Sequence, residues 1–387
     1  MDERATAAPP ARRSWLRDLA LLVLSVALAL GCAEAVIRLF FKDAIYLFPR
    51  YHTDYSYGKY RIRGLRPNLV YQHTSADGTW RHRTNARGFS NARDIAYEKP
   101  AGTFRVLTLG DSHTQGNEVR QEQTYASVLE RALSRNGKKA EVINAGVSGF
   151  GTAEELVLLE NEGIRYRPDA VVLGFFANDF DDNLKSDLFG LDKQGAIIEK
   201  SFEYLPGVRI QNFIYSIPGI QWLGENSYFY SMLFNNVWIY AKLMLNRQTA
   251  RKVSQEPGAE PTEIGAFQFT IPQIATRYQI DLALTLIQRM QDFCKRNGIR
   301  LIVVDVPAYL EKPHHFAPSM TAQVLGRLRD AGVEVISSQA LLGQYNGVAE
   351  LHVVHGLNHI SEFTHTMIGA EVARRLTEGP AGPPAAR

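Results

Sequence analysis

The stretch Phe104–Thr114, FRVLTLGDSHT, decides the fold. Its first seven residues form an apolar run of strand length, and the run breaks at Gly110, followed by the polar pair Asp111 and Ser112. Thr124 to Asn136 then follows with helical spacing, so the unit reads strand, turn, helix. The alternation continues outward. AEVINAG (140–146) predicts a second strand and Thr152 to Gly163 a second helix; PDAVVLGFF (168–176) predicts a third strand, ending at Ala177-Asn178-Asp179. Asp281 to Asn297 reads as a long amphipathic helix closed by Gly298, which feeds the strand IRLIVVDVP (299–307). VEVIS (333–337) predicts a fifth strand and Thr364 to Leu376 a last helix. Nearly all-apolar strands alternating with helices imply a parallel sheet covered on both faces. In such sheets the functional site lies beyond the carboxyl ends of the strands.

The chain of 387 residues has room for two domains, or for one α/β domain with insertions. With 45% apolar and 21% charged residues, it is neither disordered, collagen-like nor a coiled coil as a whole. Lys plus Arg (43) against Asp plus Glu (40) leaves +3, too small an excess to predict a nucleic-acid partner. Two cysteines, Cys32 and Cys294, exclude a disulfide scaffold and a cysteine-based metal cluster.

Leu19 to Ala33 carries no charge and follows Arg4, Arg12, Arg13 and Arg17. Continued to Phe41, with Glu34 and Arg38 paired at i and i+4, the helix is long enough to cross a bilayer. The basic residues ahead of it predict residues 1–18 in the cytoplasm, 19–41 as an uncleaved anchor in a bacterial inner membrane, and the body outside. Three other readings exist for this segment: cleavage at Ala33-Glu34-Ala35, lipidation at Cys32 in an imperfect lipobox, and twin-arginine export through Arg12-Arg13. Residues 42–103 recur in Gly, Pro, Asn and Arg without helical period, and read as an extracytoplasmic stalk with short strands packed against the body.

The strand ends carry the chemistry. Gly110-Asp111-Ser112 presents a hydroxyl near a helix N-terminus, where backbone N–H groups favour negative charge. The second strand ends in Asn144-Ala145-Gly146-Val147-Ser148-Gly149-Phe150-Gly151, a loop whose backbone can approach a ligand closely. Asn178 offers a neutral donor, and His359 precedes the last helix. A serine, a glycine N–H, an asparagine and a histidine are the parts of a nucleophile, an oxyanion hole and a base. Read singly, Ser112 is a helix N-cap, Asn178 a turn residue, and Asp179, Asp181 and Asp182 a solvated acidic loop.

FRVLTLGDSHTQG, INAGVSGFGT, LGFFANDF and the segment HISEFTHTMIGAEV resemble, in order, the sequence blocks of the SGNH (GDSL-type) hydrolases, over roughly residues 104–378. The resemblance implies a flavodoxin-like three-layer α/β/α sandwich and carboxylic-ester hydrolysis without a cofactor. It further implies Ser112 as nucleophile, the N–H groups of Ser112 and Gly149 with the Asn178 amide as oxyanion hole, His359 as base, and Gly110 and Asp111 as supports of the motif. An alternative alignment gives His355 the role of base. Ser361 and Thr364 stand where the family commonly has Asn and Gly. The family usually places an Asp two or three residues before the histidine; here those positions are Leu357 and Gly356. His355, Asn358 or a backbone carbonyl is then left to hold the ring, and the protein is expected to be a Ser-His dyad enzyme, or a weak or inactive one.

No metal is expected: His355 and His359 are four apart but Gly356 disfavours a helix there, HExxH is absent, and the acidic run lacks calcium-loop spacing. His352 and His365 read as packing or surface residues. Residues 184–280 form an insertion, aromatic-rich from Phe202 to Tyr240. It reads as small helices packed on the main sheet, as a lid, or as a surface facing the bilayer. Residues 247–264 are expected as a mobile loop and 379–387 as a disordered tail. The functions in play are an extracytoplasmic ester hydrolase acting on a small ester, a lipid or a surface glycan; an O-acyltransferase of envelope polysaccharide, although the D-x-H-W motif of alginate-type enzymes is missing; and a non-catalytic binding protein.

Overall fold

A computed structural model describes residues 15–49, 51–135, 137–237, 240, 275–310, 312–355 and 357–378. Five strands form its central sheet: β1 (Thr103–Gly110), β2 (Lys139–Asn144), β3 (Ala170–Phe175), β4 (Arg300–Asp305) and β5 (Glu334–Ile336). Their spatial order is β5-β4-β3-β1-β2, and every neighbouring pair is parallel. The apolar runs of these strands fit their burial, because a strand covered on both faces must be apolar at successive positions.

Alternate residues of these strands feed two separate cores. Leu107, Leu109, Ile143, Val171, Leu173, Leu301 and Val303 point to one face, covered by the helices α3 (Thr152–Asn161) and α4 (Arg277–Arg296). Val106, Val142, Val172, Ile302 and Val304 point to the other, covered by α2 (Tyr125–Arg135) and α5 (Glu362–Glu378). Truncating any one of these buried leucines to alanine costs about 2–5 kcal/mol. The helix α4 starts at Arg277, four residues before the sequence-based boundary, because Thr276 and Gln279 form a capping box that turns the chain in earlier.

Residues 52–83 fold into two antiparallel hairpins, His52–Tyr57 with Tyr60–Leu65 and Val70–Ser75 with Gly78–Arg83. Tyr51, Tyr57, Tyr60, Ile62, Leu65 and Tyr71 are buried in the same core as one face of the central sheet. The segment read as a stalk is thus joined to the body through its tyrosines, whose spacing has no helical period. The described part of the insertion packs chiefly on these hairpins rather than on the main sheet: Arg66 donates to Asn212 Oδ1 (2.7 Å) and Gln221 Nε2 to the Val70 carbonyl (2.9 Å). Ahead of the hairpins runs α1 (Trp15–Phe40), long and apolar enough to cross a membrane, with Ile37 as its one buried residue. The expected cytoplasmic tail up to residue 14, the mobile loop 247–264, the tail 379–387, and Gly356 lie outside the described residues.

Candidate active site

The strand β1 ends at Gly110, whose φ of +152° and closeness to Thr114 leave no space for a Cβ: one built there would lie 1.9 Å from Thr114 Oγ1. Asp111 caps the helical turn Ser112–Gln115, its Oδ1 accepting from His113 N–H at 2.8 Å. Ser112 thereby opens the turn, half-buried, with its N–H outside the hydrogen bonds of the turn. Burial raises the Asp111 carboxyl to about 6.

The turn ends at Gly116 in the left-handed conformation, and Glu118 follows at φ +64°. This reversal tucks the Glu118 side chain, fully buried, beneath the histidine of the last block. His359 Nε2 lies 2.9 Å from Ser112 Oγ, and His359 Nδ1 lies 2.8 Å from Glu118 Oε2. The Glu118 carboxylate also accepts from the Leu357 N–H, at 2.8 Å to each oxygen. Burial on its own would raise the Glu118 carboxyl; the bond from His359 and the neighbouring donors outweigh it and hold the carboxyl below its ordinary value of 4.5. His73 Nε2 is 4.0 Å from Glu118, but burial pushes His73 down to about 3, so this is a contact with a neutral ring and not an ion pair.

The ring of His359 is therefore held by an acid just after the first block, not by His355 or Asn358. The His355 ring bonds Asp77 instead (Nδ1 to Oδ1, 2.8 Å), and His355 N–H donates to the same carboxylate at 2.6 Å. Asn358 sits at φ +61° and helps turn the chain into His359. Under the His359 ring lies buried His113, its ring centroid 4.9 Å away, whose Nδ1 accepts from Ile360 N–H at 3.3 Å. Burial, and after it the proximity of His359, keeps His113 neutral, as an acceptor at that nitrogen must be.

The second block is fastened to this turn. Asn144 Nδ2 donates to the Thr114 carbonyl (2.9 Å), and Ser148 N–H donates to Gln115 Oε1 (2.8 Å). Gln115 Nε2 in turn donates to the Tyr71 hydroxyl of the second hairpin (2.8 Å). Gly149 adopts φ +77°, and a Cβ there would meet the Arg63 guanidinium at 2.6 Å. Among the described residues, neither the Ser112 nor the Gly149 N–H donates a hydrogen bond. Asn178 follows β3; its amide donates to Asp182 Oδ2 (3.0 Å) and also interacts with the Asp111 carboxyl.

Beneath the site lie further buried carboxyls. Burial raises Glu154 to about 8 and holds Glu155 and Asp179 well above their ordinary range, so this floor is mostly neutral near pH 7. No group of three His, Cys, Asp or Glu side chains among the described residues is arranged to hold a metal ion.

Parts of the chain resemble known proteins. The GDSL-like Lipase/Acylhydrolase family matches residues 108–254, a span that holds Ser112, Glu118, Gly149 and Asn178. Over this segment the chain is similar to the GDSL-like lipases and acylhydrolases. It is similar to an arylesterase of Vibrio mimicus, 35% identical over 75 residues, which is 19% of this chain and 38% of that relative. Among solved structures it resembles a putative lipolytic protein of the G-D-S-L family from Desulfitobacterium hafniense (12% identity, 70% of this chain and 98% of that one, TM-score 0.36). It also resembles a catalytic mutant of an acetylxylan esterase from Geobacillus stearothermophilus (12% identity, 70% and 94% covered, TM-score 0.38). Within the SGNH/GDSL pattern, Glu118 is the residue that sequence reasoning missed. The only signal was a carboxylate in the Gly116-Asn117-Glu118 turn just after the serine block, on the far side of the chain from the position where the family usually carries its acid.

Proposed function

We propose that this chain is a membrane-anchored, extracytoplasmic serine ester hydrolase that works through a Ser112–His359–Glu118 relay. The carrying observation is the pair of contacts made by one imidazole, 2.9 Å to the hydroxyl and 2.8 Å to a buried carboxylate. Glu118 holds the proton on Nδ1 and so leaves Nε2 as the acceptor facing Ser112. As the Ser112 oxygen attacks the ester carbonyl, its proton passes to His359 Nε2, and Glu118 stabilises the resulting imidazolium. The carbonyl oxygen gains negative charge and is met by the N–H groups of Ser112 and Gly149 and by the side-chain amide of Asn178. His359 then protonates the leaving alcohol, an acyl group remains on Ser112, and water activated by His359 releases it as the acid. The neutral floor of Glu154, Glu155 and Asp179 supports this reading, since ionised carboxylates there would oppose the developing oxyanion.

The basic residues ahead of α1 support an orientation with the hydrolase body outside the cytoplasm. The test is hydrolysis of p-nitrophenyl acetate by the purified full chain beside Ser112→Ala and His359→Ala. The relay predicts saturable turnover in the parent chain and background rates in both variants. Parent-level turnover in Ser112→Ala refutes it.

A further inference from the structure

The described helices of the insertion each turn apolar side chains outward as well as inward. In the helix Val208–Tyr215, Ile210 and Phe213 are exposed and Ile217 continues the stripe, while Val208 and Gln211 are buried and Asn212 bonds Arg66 and Asp54. In Ile220–Asn226, Trp222 is exposed and Gly224 packs on Pro49. In the helical stretch 228–237, Leu233 and Val237 are exposed with Tyr240 next on the stripe, while Ser231 is buried and Asn235 Nδ2 donates to the Tyr46 carbonyl. The exposures are large: 70% for Phe213, 63% for Trp222 and 59% for Val237. Spacings of three and four place the exposed residues of the first and third helices on one face each, so an apolar stripe runs along the outward side of the insertion.

The contacts of α1 indicate what covers that surface. Glu34, near its carboxyl end, accepts from Ser227 Oγ (2.9 Å), Tyr228 N–H (3.1 Å) and Phe229 N–H (2.9 Å), and so caps the helical stretch 228–237. One turn later Arg38 pairs with Glu34 (2.8 Å), donates to the Asn226 carbonyl (2.7 Å) and lies over the Tyr228 ring. The insertion is thereby pinned at the end of a helix whose apolar surface is almost wholly uncovered. Leu39, Phe40 and Phe41 extend that uncovered surface past the pin.

We propose that the outward stripes of residues 208–237 and Tyr240 lie in the headgroup layer of the bilayer that α1 enters, forming with it one membrane-bound platform that holds the hydrolase site at the membrane surface. The occupant of this surface is lipid. The proposal rests on the reading of α1 as a membrane anchor. Helices of this kind sink their apolar face about 5–10 Å below the surface, and Trp, Tyr and Phe are the side chains that favour that depth.

Site-specific quenching tests this in the full chain. Phe213→Cys, Trp222→Cys and Leu233→Cys, each in a Cys32→Ser background that leaves only the buried Cys294, carry an environment-sensitive fluorophore. The chain is reconstituted in vesicles of phosphatidylethanolamine and phosphatidylglycerol bearing a quencher at a shallow or a deep acyl position. Leu28→Cys inside α1 and the exposed, distant Arg329→Cys are the references. The expected result is several-fold quenching of the three insertion probes by the shallow lipid, of the Leu28 probe by the deep lipid, and of neither kind at Arg329. Insertion probes as open to a water-soluble quencher as the Arg329 probe, with Leu28 quenched by lipid, overturn the platform and leave the anchor standing. Insertion probes shielded from water but not quenched by lipid, in a chain that runs as a dimer, assign the surface to a second copy and overturn the proposal. An unquenched Leu28 probe overturns the anchor reading and the platform with it.

Discussion

Replacing Glu118 with glutamine keeps the volume of the side chain and removes the charge that faces His359. At the 2.8 Å separation of Glu118 Oε2 and His359 Nδ1, and with an effective dielectric constant of about 20, opposite unit charges attract by about 6 kcal/mol. That attraction exists only while the imidazole carries the serine proton, so it acts on the transition state, and about 6 kcal/mol corresponds to roughly 10⁴ in rate. Neutralising the buried acid of a Ser-His-acid relay costs about 10⁴ in the serine proteases, the same order. Glutamine also offers the wrong donor. With its oxygen kept on the Leu357 N–H, its amide nitrogen faces Nδ1 and favours the tautomer whose proton sits on Nε2, toward the serine. Glu118→Gln should therefore lower kcat/KM for a p-nitrophenyl ester by roughly 10³–10⁴, with KM near that of the parent. Glu118→Asp retracts the carboxylate by about 1.5 Å and should fall in between. Asp77→Asn, which alters the separate His355 contact, should leave the rate near that of the parent. Thermal unfolding accompanies each assay, because the fold holds the Glu118 carboxyl below its ordinary value, so a neutral side chain should cost some stability that has to be separated from the loss of rate. A folded Glu118→Gln enzyme within about tenfold of the parent rate would show that this carboxylate does not serve the relay.

Asn178→Ala removes one oxyanion donor and should lower kcat by about 10²–10³ with little change in KM; an unchanged kcat removes Asn178 from the hole. Glu154 sets a pH dependence of stability. Burial raises its carboxyl to about 8, so the folded chain holds a proton that the unfolded chain releases near the ordinary value of 4.5. The unfolded state binds fewer protons in that window, so this contribution is complete below about 4.5 and is lost as pH rises toward about 8, by up to about 1.4 kcal/mol per pH unit. Glu154→Gln keeps an acceptor for Gly151 N–H and should flatten the decline of melting temperature between about pH 5 and pH 8. Equal slopes in parent and variant contradict the assignment.

The sheet was legible because the residues buried on both of its faces must be apolar in succession, as FRVLTLG and AVVLGF are. The serine turn, the 144–151 loop and Asn178 were legible because each follows such a run directly. Glu118 was not, for a physical reason: its contact with His359 spans 241 residues and depends on a non-glycine residue adopting φ +64°. Neither local propensity nor spacing announces such a conformation. The hairpins of residues 52–83 were hidden in a similar way. Their buried tyrosines carry polar hydroxyls and sit among arginines and asparagines, so the stretch reads as surface until the core they join is known. The insertion showed its aromatic content but not the partner of its inner face, because that partner is the N-terminal segment, far away in sequence.

The account turns on whether Ser112 is an activated nucleophile, and covalent capture measures that directly. The full chain is treated with a fluorophosphonate, digested, and the adduct located by mass spectrometry. The relay predicts a single adduct on Ser112, lost in Ser112→Ala and formed far more slowly in His359→Ala and Glu118→Gln. An unlabelled chain, or a label on Ser112 whose rate ignores His359 and Glu118, contradicts it.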